Sequence, residues 1–287
     1  MLIKAPAKIN LFLEVGRKKG NLHEIFSLVD IVSLYDLIYL KPSKKTKIEF
    51  ISEWEIPKES NTVYKLISIL KNRFDFDIEI KIKKNIPPGT GLGGGSSNAG
   101  TLLIYLNKIF NFGLKIDELV EIAKNIGSDT PLFIYQKRCI IKNFGDVVIP
   151  VSDFKLYYLI LIPEISIKTK IVYDKLDQLG EYGNLTDFED KVNILIEEIK
   201  KGNIIEAEKN MFNRLEKACF EINERIKEVK YEVEKLTGKR FFLTGSGSGL
   251  FSVFKEGEEV EKVREMIFLD GWKKYEAESV NFACKRR

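Results

Sequence analysis

Pro87-Pro88-Gly89-Thr90-Gly91-Leu92-Gly93-Gly94-Gly95-Ser96-Ser97-Asn98 sets five glycines directly ahead of an amphipathic helical pattern. Glycine has no Cβ, so the backbone N–H groups of such a loop can close on a polyphosphate. The first turn of the helix that follows adds unpaired donors and a positive dipole end. Leu102, Leu103, Leu106, Ile109 and Phe110 recur at helical spacing, which buries one face of that helix. Ser96, Ser97 and Asn98 are the candidate N-caps. A plain structural turn is the competing reading; a flexible linker would not begin with Pro-Pro and end on a capped helix. No Gly-Lys-Ser/Thr closes the loop, and it lacks dinucleotide spacing with an acidic residue for a ribose. No His-Arg-Asp or Asp-Phe-Gly follows it, which excludes the protein-kinase pattern. A third class of phosphate loop is required.

Working outward, Asp-Ile-Glu-Ile-Lys-Ile-Lys over 77–83 alternates strictly and predicts a half-buried strand that delivers the chain into the loop. Upstream, residues 4–15 read as a strand, 33–40 and 47–51 as short β patterns, and 61–74 as a helix capped by Asn61. Downstream, 116–125 predicts a second helix, 139–151 a hairpin about Phe144-Gly145-Asp146, and 155–163 an apolar strand. Helical patterns then dominate 168–237, broken at 180–183 and at Gly202. Strands at 240–244 and 250–254, a helix and a last strand complete the chain. The texture changes near Asp153, so the pattern divides into two α+β lobes, 1–152 and 153–287.

Composition bounds the function. A chain of 287 residues with 44% hydrophobic and 31% charged residues reads as globular, long enough for one large or two ordinary cores. No apolar run approaches the ~20 residues that cross a bilayer, and the start is too polar for a signal peptide, so the expected setting is cytoplasmic, away from membranes. Forty-six basic against 42 acidic residues leave +4, too even a balance to argue for nucleic acid. Cys139, Cys219 and Cys284 are odd in number and far apart, which suggests neither a disulfide framework nor a zinc site. His23 is the one histidine, which excludes a histidine metal cluster.

The glycine loop resembles the second motif of the GHMP small-molecule kinases, the superfamily of galactose, homoserine, mevalonate and phosphomevalonate kinases. Pro6-Ala7-Lys8-Ile9-Asn10-Leu11 resembles the first motif and Leu243-Thr244-Gly245-Ser246-Gly247-Ser248 the third, in the same order. With Ile126-Gly127-Ser128-Asp129-Thr130-Pro131, these stretches are similar to the branch whose substrate is a cytidine-diphosphate-linked methylerythritol. The match spans nearly the whole chain. It implies an S5-like N-terminal lobe, a ferredoxin-like C-terminal lobe, an active site in the cleft between them, and ATP with Mg2+.

Phosphoryl transfer needs a phosphate cradle, a positive charge, a metal and a group that orients or deprotonates the attacking hydroxyl. Asp129, in a turn at an expected helix-to-strand junction, matches the family's catalytic aspartate; by itself it reads more readily as a residue capping the backbone of a helix-ending turn. Lys8 is a charge inside an apolar strand, where a solvent-facing lysine is the commoner case. The resemblance makes it the cation that holds Asp129 ionised and stabilises the developing alkoxide, with Asn10 orienting either group. The same resemblance implies a cradle of Pro88, Gly89, Gly91, Leu92, Gly93, Gly94, Gly95, Ser96 and Ser97, with Asn61, Lys84 and Asn98 around the nucleotide. Magnesium keeps much of its water; Ser96 and Ser97 are within the expected reach, and no protein ligand is assigned. Gly245 and Ser246 would close the acceptor side.

Two departures bear on substrate. The family carries Gly-Tyr-His-Glu where this chain has Asn21-Leu22-His23-Glu24, so the histidine expected at the cytosine edge stands while the stacking tyrosine is Leu22. Tyr173 falls where the family has the aromatic of the opposite face. Asn143-Phe144 occupies a place where a basic residue is usual, with Lys142 on the other strand face. The alternatives are therefore a sister kinase acting on another small alcohol, and a non-catalytic nucleotide- or RNA-binding protein.

Overall fold

The computed structural model describes residues 1–152, 154–185 and 188–280; Asp153, where the texture changes, and Cys284 lie outside the described residues. In chain order the first part carries β1 (Leu2–Lys19), β2 (Leu22–Pro42), β3 (Lys47–Ile51), α1 (Thr62–Lys71), β4 (Ile78–Lys83), α2 (Gly94–Ile109), α3 (Ile116–Lys124), α4 (Leu132–Tyr135), β5 (Cys139–Asn143) and β6 (Val147–Pro150). The second part carries β7 (Tyr157–Pro163), α5 (Thr169–Leu179), α6 (Glu189–Lys201), α7 (Ile204–Glu208), β8 (Phe212–Asn213), α8 (Glu216–Ile222), α9 (Glu224–Thr237), β9 (Phe242–Leu243), β10 (Leu250–Phe254), α10 (Gly257–Met266) and β11 (Trp272–Glu278).

One sheet runs β3-β4-β2-β1-β8, with β5 beside β2 and β6 beyond it. The other is antiparallel in the order β11-β7-β10-β9. Numbered among themselves its strands stand 4-1-3-2, with helices after the first and third, which is the ferredoxin-like arrangement. The α+β class with two lobes is thus observed.

The lobes share a core. Ile3 and Ala5 of β1, with Ile38, Ile80 and Ile82, pack beneath Leu66, Leu102 and Leu106 of the first lobe's helices. Ala7, Ile9 and Leu11 instead pack against Tyr158, Ile160 and Ile162 of β7 and Phe251 of β10. Bulges between Pro6 and Ala7 and between Asn10 and Phe12 interrupt the β1–β2 register, the device by which a strand re-aims its side chains. A polar clamp spans the same joint. Asp30 Oδ2 accepts from Arg138 Nη2 (2.6 Å) and Tyr158 OH (2.5 Å) in the interior, and from Ser279 Oγ (2.6 Å) at its half-buried margin. Removing one partner of a buried ion pair costs about 3–5 kcal/mol. Asp30→Ala should therefore lower the thermal midpoint by several degrees, and an unchanged melt would show the clamp to be dispensable.

Besides the segment after Asp129, three elements depart from sequence expectation. β2 spans 21 residues instead of a short segment at 33–40, because residues 26–32 are buried on both faces and show no alternation. β8 was not expected within the helical stretch; its two residues pair in parallel with Phe12 and Leu13. The glycine-loop helix starts at Gly94 with Gly93 as its cap at φ +71°, so Ser96, Ser97 and Asn98 lie inside its first turns and cap nothing. Asn61 does cap α1, accepting from Val63 N at 2.8 Å. Among the described residues no helix is long and apolar enough to cross a membrane.

Candidate active site

The glycine loop is pressed between the two lobes. A Cβ on Gly89 would lie 1.9 Å from Ser166 Oγ, and one on Gly91 would lie 1.9 Å from the Thr244 carbonyl oxygen; both residues have positive φ. Gly249 N donates to Thr90 O at 3.2 Å and Ile167 N to Gly89 O at 3.3 Å, stitching the loop to the third motif and to the segment after β7. Thr62 Oγ1 donates to Gly95 O at 2.7 Å, so the start of α1 abuts the first turn of α2. Among the described residues the buried Ser97 Oγ and Asn98 Oδ1 find no hydrogen-bond partner, which calls for a water or a ligand near α2's N-terminus.

Lys8 lies beneath this loop. Its backbone N–H donates to Leu92 O at 3.0 Å. A Cβ on Gly93 would lie 3.0 Å from its Cγ, and one on Gly245 3.0 Å from its Nζ. Nζ donates to Asn10 Oδ1 and stands 3.8 Å from Asp129 Oδ2. Lys8 is 5% exposed, whereas the Asp129 side chain is 39% exposed. Burial pushes the Lys8 ammonium below the ordinary lysine range, with the Asp129 carboxylate opposing it. Asn10 is fixed in turn: its Nδ2 donates to Ser27 Oγ (2.8 Å) and its N–H to Thr244 Oγ1 (3.2 Å). The turn holding Asp129 joins α3 to α4, a helix, where a strand was expected. Gly100 lets α2 approach it, since a Cβ there would meet Phe133 at 2.7 Å. The hairpin tip also approaches this turn, a Cβ on Gly145 falling 2.6 Å from Ser128 O. First motif, second motif, third motif and Asp129 therefore converge.

A second cluster lies along the β1–β2 hairpin. The His23 ring is 5.2 Å from Tyr173 and stacks at 5.9 Å on Tyr182. Its Nδ1–H donates to Gly16 O at 3.0 Å, and Nε2 stands 3.1 Å from Asp177 Oδ1. Burial raises the Tyr173 phenol, and the Asp129 charge raises it further. Leu22 is 55% exposed beside the hairpin turn and walls nothing off. Tyr182, whose OH donates to Asp177 Oδ1 at 2.9 Å, is the aromatic that sequence reading missed. Lys142 is drawn away into a pair with Glu189.

Lys84 is not loose at a strand end. It is buried in a pair with Asp36, which also accepts from Asn85 N (2.7 Å) and Ile86 N (2.8 Å) and so shapes the lead into the loop. A Cβ on Gly94 would still lie 3.2 Å from Lys84 Nζ, so its charge sits at the base of the cradle. Asp30 and Asp36 were findable as acids inside otherwise apolar stretches. Ser246 Oγ meets Thr169 Oγ1 at 3.0 Å. Burial pushes the Cys139 and Cys219 thiols up to about 12, so neither supplies a nucleophile near neutral pH.

Comparison with known proteins gives a consistent picture. The family model described as GHMP kinases N terminal domain matches residues 61–137, and that described as GHMP kinases C terminal matches residues 195–272. The chain is 37% identical over 277 residues to 4-diphosphocytidyl-2-C-methyl-D-erythritol kinase of Thermodesulfovibrio yellowstonii, covering 94% of each chain. It is 36% identical to the enzyme of that name from Petrotoga mobilis, covering 88% of this chain and 98% of the relative. Among solved structures, a 4-(cytidine 5'-diphospho)-2C-methyl-D-erythritol kinase superposes with a TM-score of 0.81 at 24% identity, covering 98% and 100% of the two chains. Mevalonate kinase of L. major superposes at 0.70 and 15% identity, covering 97% and 96%.

Proposed function

This chain belongs to the 4-diphosphocytidyl-2-C-methyl-D-erythritol kinases of the GHMP superfamily, and from that premise we propose that Lys8 and Asp129 carry the transfer of a phosphoryl group from ATP to the substrate's 2-hydroxyl. The observation that carries this reading is the 3.8 Å approach of Lys8 Nζ to Asp129 Oδ2 beside the glycine loop. Asp129, the more exposed of the two, takes the hydroxyl proton. A bond forms between the substrate oxygen and the γ-phosphorus, the bond to the β,γ-bridging oxygen breaks, and ADP leaves. Lys8, held by Asn10, stabilises the negative charge as the proton departs.

Support for the nucleotide side comes from the loop. Pro88, Gly89, Gly91, Leu92, Gly93, Gly94 and Gly95 present backbone to the phosphates, with Lys84 beneath them. Asn61 and Asn98 border the nucleotide from α1 and α2. Mg2+ bound with the nucleotide would neutralise phosphate charge. A cation that keeps most of its water needs few protein oxygens; Ser96 Oγ, facing Gly127 at the Asp129 turn, and Ser97 Oγ have the required chemistry. Among the described residues no group of three His, Cys, Asp or Glu offers a dedicated metal cage. Residues 1–152 would hold the nucleotide and 153–287 close on the alcohol, with Gly245 and Ser246 on the acceptor side. The cytoplasm, where ATP and a water-soluble nucleotide-linked alcohol meet, is the proposed setting, without nucleic acid or membrane partners.

His23, between Tyr173 and Tyr182, is the proposed cytosine reader, which requires the base edge to compete with Asp177 for Nε2. Leu22 could recover only part of the ~1–3 kcal/mol that aromatic stacking on a base supplies. Leu22→Tyr should then tighten CDP about 5–10-fold, within the range stacking allows, as read by competition in an ADP-release assay. An unchanged CDP affinity would move the cytidine away from this hairpin. Failure of CDP to compete at all, with turnover on another alcohol, would favour a sister kinase.

A further inference from the structure

We infer that Asn213 is a positioning residue for phosphoryl transfer, acting through the third-motif loop. The residue stands on β8, paired with Leu13 of the strand that carries Lys8, and is 7% exposed. Its Nδ2 donates to two carbonyls of the loop, Leu243 O and Gly245 O, each at 2.8 Å. Its Oδ1 accepts from Leu215 N at 3.0 Å. Both amide hydrogens are used and the amide cannot be turned over, because a flip would set its oxygen against two carbonyl oxygens.

The consequence lies on the other side of the loop. The C=O and N–H of one trans peptide unit point in opposite directions. Holding Gly245 O against β8 therefore aims the N–H of Ser246 away from β8, on the side where position 245 faces Lys8. A Cβ on Gly245 would lie 3.0 Å from Lys8 Nζ and 3.0 Å from Gly91 O, so this peptide borders the cation and the cradle together. Holding Leu243 O does the same for Thr244 N, which donates to Gly249 O at 3.0 Å and closes the β9–β10 turn. Thr244 Oγ1 accepts from Asn10 N, tying the loop back to β1. Asn213 touches no reacting atom. It sets the orientation of a peptide donor toward the phosphoryl group or the acceptor's anionic face.

This inference rests on the assignment of transfer to the Lys8–Asp129 pair, and the experiment separates the two. Turnover of the cytidine-linked alcohol, binding of a fluorescent ATP analogue and thermal midpoints would be measured for wild type, Asn213→Ala, Asn213→Asp and Asp129→Asn. Asn213→Asp keeps the size and the bond from Leu215 N but sets an acceptor against two carbonyls; Asn213→Ala carries the test where that variant does not fold. We expect kcat to fall about 10–100-fold, as a misplacement of about 1 Å allows, with analogue affinity within about 3-fold of wild type and KM for the alcohol changed less than kcat. Wild-type kcat in folded Asn213→Ala, or a loss that tracks the melt and vanishes well below it, overturns the positioning role. Wild-type turnover in Asp129→Asn, or a wild type with no turnover, overturns the underlying assignment and the inference with it.

Discussion

Asp129→Asn should lower kcat by about 10²–10⁴-fold, the span attributed to a positioned general base, while ATP-analogue binding stays near wild type. The neutral amide keeps the shape of the turn but cannot accept the hydroxyl proton. It also removes the carboxylate that opposes the effect of burial on Lys8. The ammonium is already pushed below its ordinary range by desolvation, so loss of the counter-charge drives it lower still. The alkaline limb of the pH–rate profile, where protonated Lys8 is lost, should accordingly move to lower pH in the residual activity of this variant. Lys8→Ala should cost about 10²–10³-fold, as for loss of one electrostatic stabiliser, and should also free Asn10 from its bond to Nζ. Groups that act as a unit are non-additive. The double variant should therefore resemble the worse single one. An ADP-release assay checks all three; wild-type turnover in Asp129→Asn would mean that the carboxylate neither accepts the proton nor orients the alcohol.

The parts legible in the sequence are those whose chemistry is local. The glycine loop, Lys8 within an apolar strand and the Asp129 turn are each short and compositionally odd, and the structure brings them together. Helix ends at Gly180, Gly202 and Gly238 were equally readable, since each closes its helix at positive φ. Most of what failed depended on a distant partner. β2 hides because burial on both faces erases the alternation by which a strand is recognised. β8 hides because two residues give no period at all, and its assignment depends on Leu13, two hundred residues earlier. The candidate caps in α2 were chosen for side-chain oxygens, whereas Gly93 ends the loop with backbone conformation alone. Tyr182 and Asp177 sit in or beside a helical stretch with no motif of their own, and only the fold places them at His23.

The same distance dependence makes the joint between lobes the sensitive place. Gly91→Ala should abolish most activity, about 100-fold or more in kcat, because a misplacement of about 1 Å at the reacting centre can cost that much. The added methyl would fall 1.9 Å from Thr244 O and 2.8 Å from its carbonyl carbon. Those are backbone atoms held by the Gly249 N–H bond to Thr90 and by the β9–β10 turn, so no flexible side chain can yield. Either the glycine loop lifts off the third motif or the third motif retreats from Lys8, and each opens the phosphate site. Gly91 is also left-handed, at φ +77°, a conformation that costs an L-residue roughly 1–2 kcal/mol by itself. Gly113→Ala separates the two causes. Gly113 has φ +73° but, among the described residues, nothing within 4 Å of an added Cβ, so it suffers the backbone cost without the collision. Its midpoint should fall by a few degrees and its kcat stay at wild type, while Gly91→Ala loses both. Equal activity in the two variants would mean that the loop tolerates displacement, and that its seat against Thr244 is not what holds the phosphates over Lys8.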